Sequence, residues 1–450
     1  MNQGEKKKEA LTIKRPDSAG VDIGSEVHYV AVPPDRAEET VRHFGCLTPD
    51  LHEMARWLKE CRVKTVAMES TGVYWIPVAQ VLEDHGLEVH LVDARHVKNV
   101  SGRKTDVKDC QWLQELHSYG LLGSAFRPTR EMAPLRSYWR QRGSLVEGCS
   151  QQIHLIHKAL EQMNLQLHKV LSDVTGVTGL KIIRAIVSGE RDARKLSKLR
   201  NAMVKSDEET LVKALTGHWR EEHLFALKQA VEMYDIYQGK VAECDREIER
   251  YMKTLGSPEG PEKGPSPGGA KRRKNEPHFD LKGELQRMTG VDLTRINGIS
   301  ALTAQTVITE QGFDMSRFPT EKHFTSHLGL CPNNQVTGGR VKRTRSRRVT
   351  SRAALALRVA AQSLHRSKTA LGAYLRRMKA KLGMPKAITA TARRLAVLIY
   401  RMLKYGQDYV DVGQVRYQEI YQMHVAENLK RQAKRLGYTL VVAGTGEVVS

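Results

Sequence analysis

The sequence predicts a chain in three parts: a mixed α/β domain, a region of long amphipathic helices, and a basic, mainly α-helical domain. Three observations carry this. Short apolar runs alternate with helical spacing near the start, two heptad seams follow, and a Gly/Pro-rich stretch then separates them from an arginine-rich helical remainder. The expected boundaries are 1–128, 129–255, a linker over 256–278, and 279–450.

In the first part, Val21 to Val32 reads as a strand broken by Gly24, and Glu39 to Phe44 as a further strand after the Pro33-Pro34 turn. Leu51, Met54, Trp57 and Leu58 have helical spacing. Thr65 to Met68 is a short buried strand ending at Glu69; Pro77 to His85 is helical, Glu88 to Val92 a strand, and Asp106 to Leu121 helical again. Strands at one end followed by strand–helix alternation imply a mixed sheet covered by helices.

Val146, Cys149, Ile153, Ile156, Leu160, Met163, Leu167 and Val170 step by three and four, an a/d seam of about four heptads that predicts a coiled coil. A second seam runs through Leu224, Leu227, Val231, Tyr234, Val241, Ile248, Met252 and Leu255. Gln238 and Asp245 interrupt it, the mark of a register-setting or partly solvated helix. The pattern fits pairing within the chain and pairing across a dimer equally. Gly256 to Ala270, followed by Lys-Arg-Arg-Lys at 271–274, has too little apolar surface to order itself and reads as a flexible basic linker.

Composition narrows the function. Lys plus Arg is 72 against 50 Asp plus Glu, a net charge of +22, which suits a protein that holds a polyanion. Apolar runs such as Leu395 to Tyr400 are far short of the ~20 residues of a membrane span. The opening MNQGEKKKEALTIKRP lacks the apolar core of a secretory signal. Six scattered cysteines without a CxxC pair argue against a zinc ribbon or a disulfide framework and suit a reducing cytoplasm.

Against this basic background stand four carboxylates. Asp22 lies in the first strand, Glu69 directly follows the apolar strand TVAM, and Asp106 and Asp109 share one face at the start of a helix. Taken singly, each has an ordinary reading as a cap or dipole partner. Together they would repel one another unless hard cations neutralised them. Mg²⁺ prefers such oxygen ligands, and two such ions about 4 Å apart serve phosphodiester chemistry.

In the last part, LTRINGISALTAQT at 293–306 resembles a helix-hairpin-helix, whose turn aims N–H groups at phosphates. Gly338-Gly339 permits a sharp turn, and Arg340, Lys342, Arg343, Arg345, Arg347, Arg348 and Arg352 follow it with almost no acid nearby. Such a segment favours phosphate contact over a merely solvated charge run. Leu371 to Leu382 and Lys386 to Leu403 read as basic amphipathic helices.

VDIGSEVHYVAV, AMESTGVYW and HVKNVSGRKTDVKD, as a set, resemble the RuvC-like domain of the DEDD transposases of the IS110 insertion-sequence family, and the likeness continues into the C-terminal part. The resemblance implies an RNase H-like first domain with Asp22, Glu69, Asp106 and Asp109 as the DEDD metal ligands for Mg²⁺. Tyr74 and Trp75 belong to the same motif and read as core aromatics. It also implies a transposase domain in which the hydroxyl residue before the Gly pair attacks DNA and forms a covalent intermediate. The family has serine there; this chain has Thr337, whose β-branched hydroxyl is more hindered. Ser346 and Ser351 lie in the same basic segment. The implied partners are donor and target DNA, a structured non-coding bridge RNA, and further copies of the chain as a dimer or tetramer, in the bacterial cytoplasm at the nucleoid. The competing expectations are a RuvC-like metal-dependent nuclease or resolvase, which needs the acids but not Thr337, and a nucleic-acid-binding relative that has lost its chemistry.

Overall fold

The computed structural model describes residues 12–69, 72–92, 106–123, 125–256, 275–332, 334–343, 346, 351–441 and 448. The chain divides into two compact units, Met1–Arg127 and Pro128–Ser450. Among the described residues no helix is long and apolar enough to cross a membrane.

The first unit is built on β1 (Ser18–Ile23), β2 (Val27–Ala31), β3 (Val41–Gly45), α1 (Thr48–Glu60), β4 (Thr65–Glu69), α2 (Trp75–Asp84), β5 (Glu88–Val92) and α3 (Asp106–Ser118). The five strands form one mixed sheet in the order β3-β2-β1-β4-β5. β1 runs antiparallel to β2 and parallel to β4, and β4 runs parallel to β5. The expected strand from Val21 to Val32, broken by Gly24, is a hairpin of β1 and β2. The Gly24 N–H donates to the Val27 carbonyl at 3.1 Å, and a Cβ on Gly24 would stand 2.4 Å from that oxygen. Only glycine fits this turn.

Alternation along the strands separates the two sheet faces. Ala19, Val21, Val66, Met68 and Leu91 pack with Met54, Leu58, Val78 and Leu82 from α1 and α2 into the core of the unit. Helix α3 packs against β1. It covers the other face, where Gln114 Nε2 donates to Ser18 Oγ (3.4 Å) and His117 Nε2 lies 2.8 Å from Thr65 Oγ1.

In the second unit α4 (Met132–Gln162) is followed by α5 (Leu167–Val170), α6 (Val177–Val187), α7 (Ala193–Ser197), α8 (Glu208–Leu215) and α9 (Glu221–Thr254). The first seam does not stay on one helix. It ends at Met163, which caps α4, the chain turns through Asn164 at φ 58°, and Leu167 and Val170 belong to α5. α4 and α9 pack against each other within the chain as an antiparallel pair, since Gly148 faces Tyr237 and Arg142 faces Asp245. Their apolar stripes form one core from Cys149 and Ile156 to Leu227 and Tyr234. The seam-breaking Asp245 is only 1% exposed and accepts from Arg142, itself 5% exposed, and from the His278 N–H at 3.2 Å. Gln238 Nε2 reaches Cys149 Sγ at 3.6 Å. Both polar interruptions therefore lie across from α4 partners, which suits a register-setting role. The expected linker falls almost wholly outside the described residues, as do Lys271 to Lys274.

The chain continues with α10 (Leu281–Thr289), α11 (Ala301–Gln311), α12 (Glu321–His327), the strands β6 (Gln335–Thr337) and β7 (Arg340–Arg343), α13 (Arg352–Ser363), α14 (Ala370–Leu382), α15 (Met384–Tyr405) and α16 (Gly413–Arg435). Buried alanines of α13 (Ala353, Ala354, Ala360 and Ala361) let it sit closely on α11 and α15. In the expected helix-hairpin-helix segment, Gly298 adopts φ 91° against Leu364, and Ser300 caps α11 by accepting from the Thr303 N–H at 3.2 Å.

Two outcomes follow from these interiors. Asp245→Ala leaves the Arg142 charge buried without its partner and costs about 3–5 kcal/mol in chemical denaturation, whereas replacing both residues by leucine is close to neutral. His117 is fully buried; burial first, then His90 and Arg15, push its pKa down to about 3. The folded ring is therefore neutral while the unfolded one titrates near 6.5, so the unfolded state binds the extra proton between these values. This contribution to stability is complete above pH 6.5 and is lost as pH falls toward 3, by a few kcal/mol in all. Denaturation midpoints of His117→Gln, compared with the parent across pH 4–7.5, will converge as the pH is lowered.

Candidate active site

The parallel register of β1 and β4 pairs Ser18 with Thr65, Gly20 with Ala67 and Val21 with Met68. One step further along each strand stand Asp22 and Glu69, side by side at the C-terminal ends of neighbouring strands. By alternation both belong to the sheet face under α3. That helix approaches the sheet by backbone contact, because a Cβ on Gly20 would meet the Cys110 carbonyl at 2.3 Å and the Gln114 nitrogen at 2.4 Å. Gln114 lies over Ser18 and Cys110 over Gly20, so α3 runs opposite to β1. Its N-terminal turn, carrying Asp106 and Asp109, is therefore at the Asp22 end.

Cys110 reports electrostatically on the same place. Its thiol is fully buried, and burial followed by the charge of Asp22, with a smaller contribution from Asp109, pushes its pKa up to about 12. Asp22 and Asp109 thus act on one point from the strand and from the helix. A thiol so hard to ionise is a poor metal ligand, which leaves carboxylate oxygens as the donors. Asp22, Glu69 and Asp109 are each half-buried. Among the described residues no three His, Cys, Asp or Glu side chains converge into a closed metal cage; the side chain of Asp106 lies outside those residues. The donor chemistry fits a hard divalent cation.

The two aromatics after Glu69 part company. Trp75 packs partly buried against the core with Arg127 5.5 Å over its ring, but Tyr74 is 50% exposed beside exposed Val73 and Ile76, not in the core as expected. Tyr74 precedes the first turn of α2, at a position that faces outward. Gly20 carries a single sequence signal, a glycine within the strand Ser18–Ile23.

In the second unit, Thr337 ends β6 and pairs with Arg340, the first residue of β7. Gly338 and Gly339 join the strands with φ of 56° and 74°, a two-residue turn that demands positive φ at both positions. Thr337, Arg340 and Lys342 are exposed around this tight hairpin, so its hydroxyl and cations face solvent together. Ser346 is exposed and bridges to Pro332. Ser351 is engaged as the N-cap of α13, accepting from the Ala354 N–H at 3.2 Å, and Arg352 is exposed in the first turn. Arg345, Arg347 and Arg348 lie outside the described residues, as does the side chain of Arg343.

Two family models match the chain. Residues 19–165, from β1 through α4, match a DEDD transposase model of the IS110 type, and residues 292–376 match a model described as the transposase IS116/IS110/IS902 family. Together they span just over half of the 450 residues and include Asp22, Glu69, Asp106, Asp109 and the Thr337 hairpin. No curated protein matches the sequence. With acidic strand ends in one matched segment and an exposed hydroxyl hairpin in the other, the chain belongs to the IS110 family and is a DNA transposase.

Proposed function

We propose that the chain is the recombinase of an insertion sequence, with an RNase H-like first domain whose Asp22, Glu69, Asp106 and Asp109 hold Mg²⁺ and a second domain whose Thr337 attacks DNA. The observation that carries this reading is the β1–β4 register, which sets Asp22 beside Glu69 at the end of the sheet where α3 begins. The strand order, with β1 antiparallel to β2 and parallel to β4, supports the RNase H-like assignment.

Bound divalent ions would supply charge stabilisation at the scissile phosphate. The residues of the chain do the rest. The Thr337 hydroxyl gives up its proton as Oγ1 attacks phosphorus, a Thr–O–P bond forms, the P–O bond to the leaving DNA oxygen breaks, and that oxygen takes up a proton to become a free hydroxyl. The reverse attack by a free DNA hydroxyl releases Thr337 and joins the new ends, so bond energy is conserved without a nucleotide cofactor. Arg340, Lys342, Arg343, Arg345, Arg347, Arg348 and Arg352, with the Gly338-Gly339 backbone, grip phosphates around the hydroxyl. A structured bridge RNA supplies sequence choice by base pairing, and two or more copies of the chain exchange strands. The net charge of +22 supports a polyanion load of this kind.

The nuclease reading keeps one observation in its favour, the threonine at the nucleophile position. Labelled donor and target DNA incubated with the protein, its RNA and Mg²⁺ separates the two. An SDS-resistant protein–DNA adduct that peptide mass spectrometry maps to Thr337, falls to background in Thr337→Val and forms faster in Thr337→Ser is expected. An adduct at Ser346 or Ser351 would remove Thr337 from the mechanism, and nicked DNA without any adduct would establish the nuclease.

A further inference from the structure

A second group of cations in the Pro128–Ser450 unit centres on a buried acid and shares Arg352 with the basic segment after the hairpin. Glu310, near the end of α11, has a side chain only 5% exposed. Arg140 of α4 grips it with both arms, Nε to Oε1 at 2.8 Å and Nη2 to Oε2 at 2.7 Å. Arg136, one turn earlier on α4, brings its Nε to 3.0 Å from Oε2, off the hydrogen-bond axis. Arg352, exposed in the first turn of α13, adds its field to both Glu310 and Arg136. Burial pushes the Glu310 pKa up, but Arg140, Arg136 and Arg352 outweigh it and hold the carboxyl below its usual range.

Two guanidinium groups therefore meet one carboxylate and the field of a third reaches it, leaving two positive charges in excess. Fastening α4 to α11 does not require this, since one bidentate arginine satisfies a carboxylate and Trp139 Nε1 already donates to Thr306 Oγ1 at 3.2 Å. Among the described residues the Nη groups of Arg136, the Nη1 of Arg140 and the whole guanidinium of Arg352 have no hydrogen-bond partner. A buried anion that orients arginines while leaving donors and net charge unspent is the arrangement that receives a phosphate. We propose that Arg136 and Arg140, oriented by Glu310 as a positioning residue, form with the nearby Arg352 a phosphate-binding subsite for a nucleic-acid backbone. It extends the phosphate grip from the hairpin segment to helix α4. The inference rests on the proposed nucleic-acid function.

The test is a salt titration of equilibrium binding by the full chain, using a random-sequence DNA duplex and a random-sequence RNA as separate probes, with thermal midpoints measured in parallel. Arg140→Gln leaves Glu310 its Arg136 contact; it is expected to weaken binding severalfold and reduce the slope of log K against log salt by about 1, and Arg140→Lys is expected to restore the slope. Arg136→Gln, which leaves Glu310 its bidentate Arg140, is expected to do the same and serves should Arg140→Gln fail to fold. Loss of slope with DNA alone, RNA alone or both supports the subsite and names its strand. A lowered thermal midpoint with an unchanged slope in both variants would reduce the cluster to a structural clamp and overturn the proposal. Wild-type protein that binds neither probe would overturn the nucleic-acid reading along with it, whereas wild-type binding with variant slopes unchanged overturns the subsite alone.

Discussion

The first unit depends on how closely α3 can approach the sheet. Gly20 has no side chain, and the backbone at Cys110 and Gln114 occupies the space a Cβ would need. A larger residue would lift the helix and carry Asp106 and Asp109 away from the strand that holds Asp22. The hydrogen bonds from Gln114 to Ser18 and between His117 and Thr65 keep α3 from sliding along the strands. Metal-binding carboxylates need placement within a fraction of an ångström, and rigid elements packed backbone to backbone provide it better than loops.

The second constraint is charge. A chain of net charge +22 repels itself, and some of its acids order cations in the interior. Asp245 holds Arg142 between α4 and α9, and Glu310 holds Arg136 and Arg140 between α4 and α11. Helix α4 is thus fastened on two sides by carboxylates from other helices. The buried pair is a closed, neutral contact, while the cluster at Glu310 keeps an excess of positive charge. The two contacts thus differ in how far the carboxylate balances the arginines around it.

Much of the architecture was legible because hydrophobic period is a local property. The strand Glu88–Val92 falls where its apolar run predicts, and the helices after Asp106, Leu371 and Lys386 lie within a few residues of their expected bounds. What the period misses is set by contacts distant in sequence. The heptad steps past Met163 continued although the chain turns at Asn164, because the same apolar spacing serves a short separate helix packed into the same core. Gly24 looked like an interruption and is a hairpin turn, distinguished only by the proximity of the Val27 carbonyl. For the site, the four acids and the Gly-Gly turn stand out as residue types, and the family likeness assigns them roles. Gly20 signals itself only as a glycine within a strand, and Glu310, Arg136 and Arg140 carry no signal, since their importance comes from neighbours that only the fold supplies.

On this reading the Asp22 end of the sheet is a divalent-metal site. Calorimetric titration of Mg²⁺ and Mn²⁺ into the DNA-free protein, paired with thermal unfolding, tests it most directly. Saturable binding that raises the unfolding midpoint is expected, with both effects lost in Asp22→Asn and in Glu69→Gln while the variants remain folded. Binding that persists unchanged in both variants, or no binding by the parent protein, would contradict it.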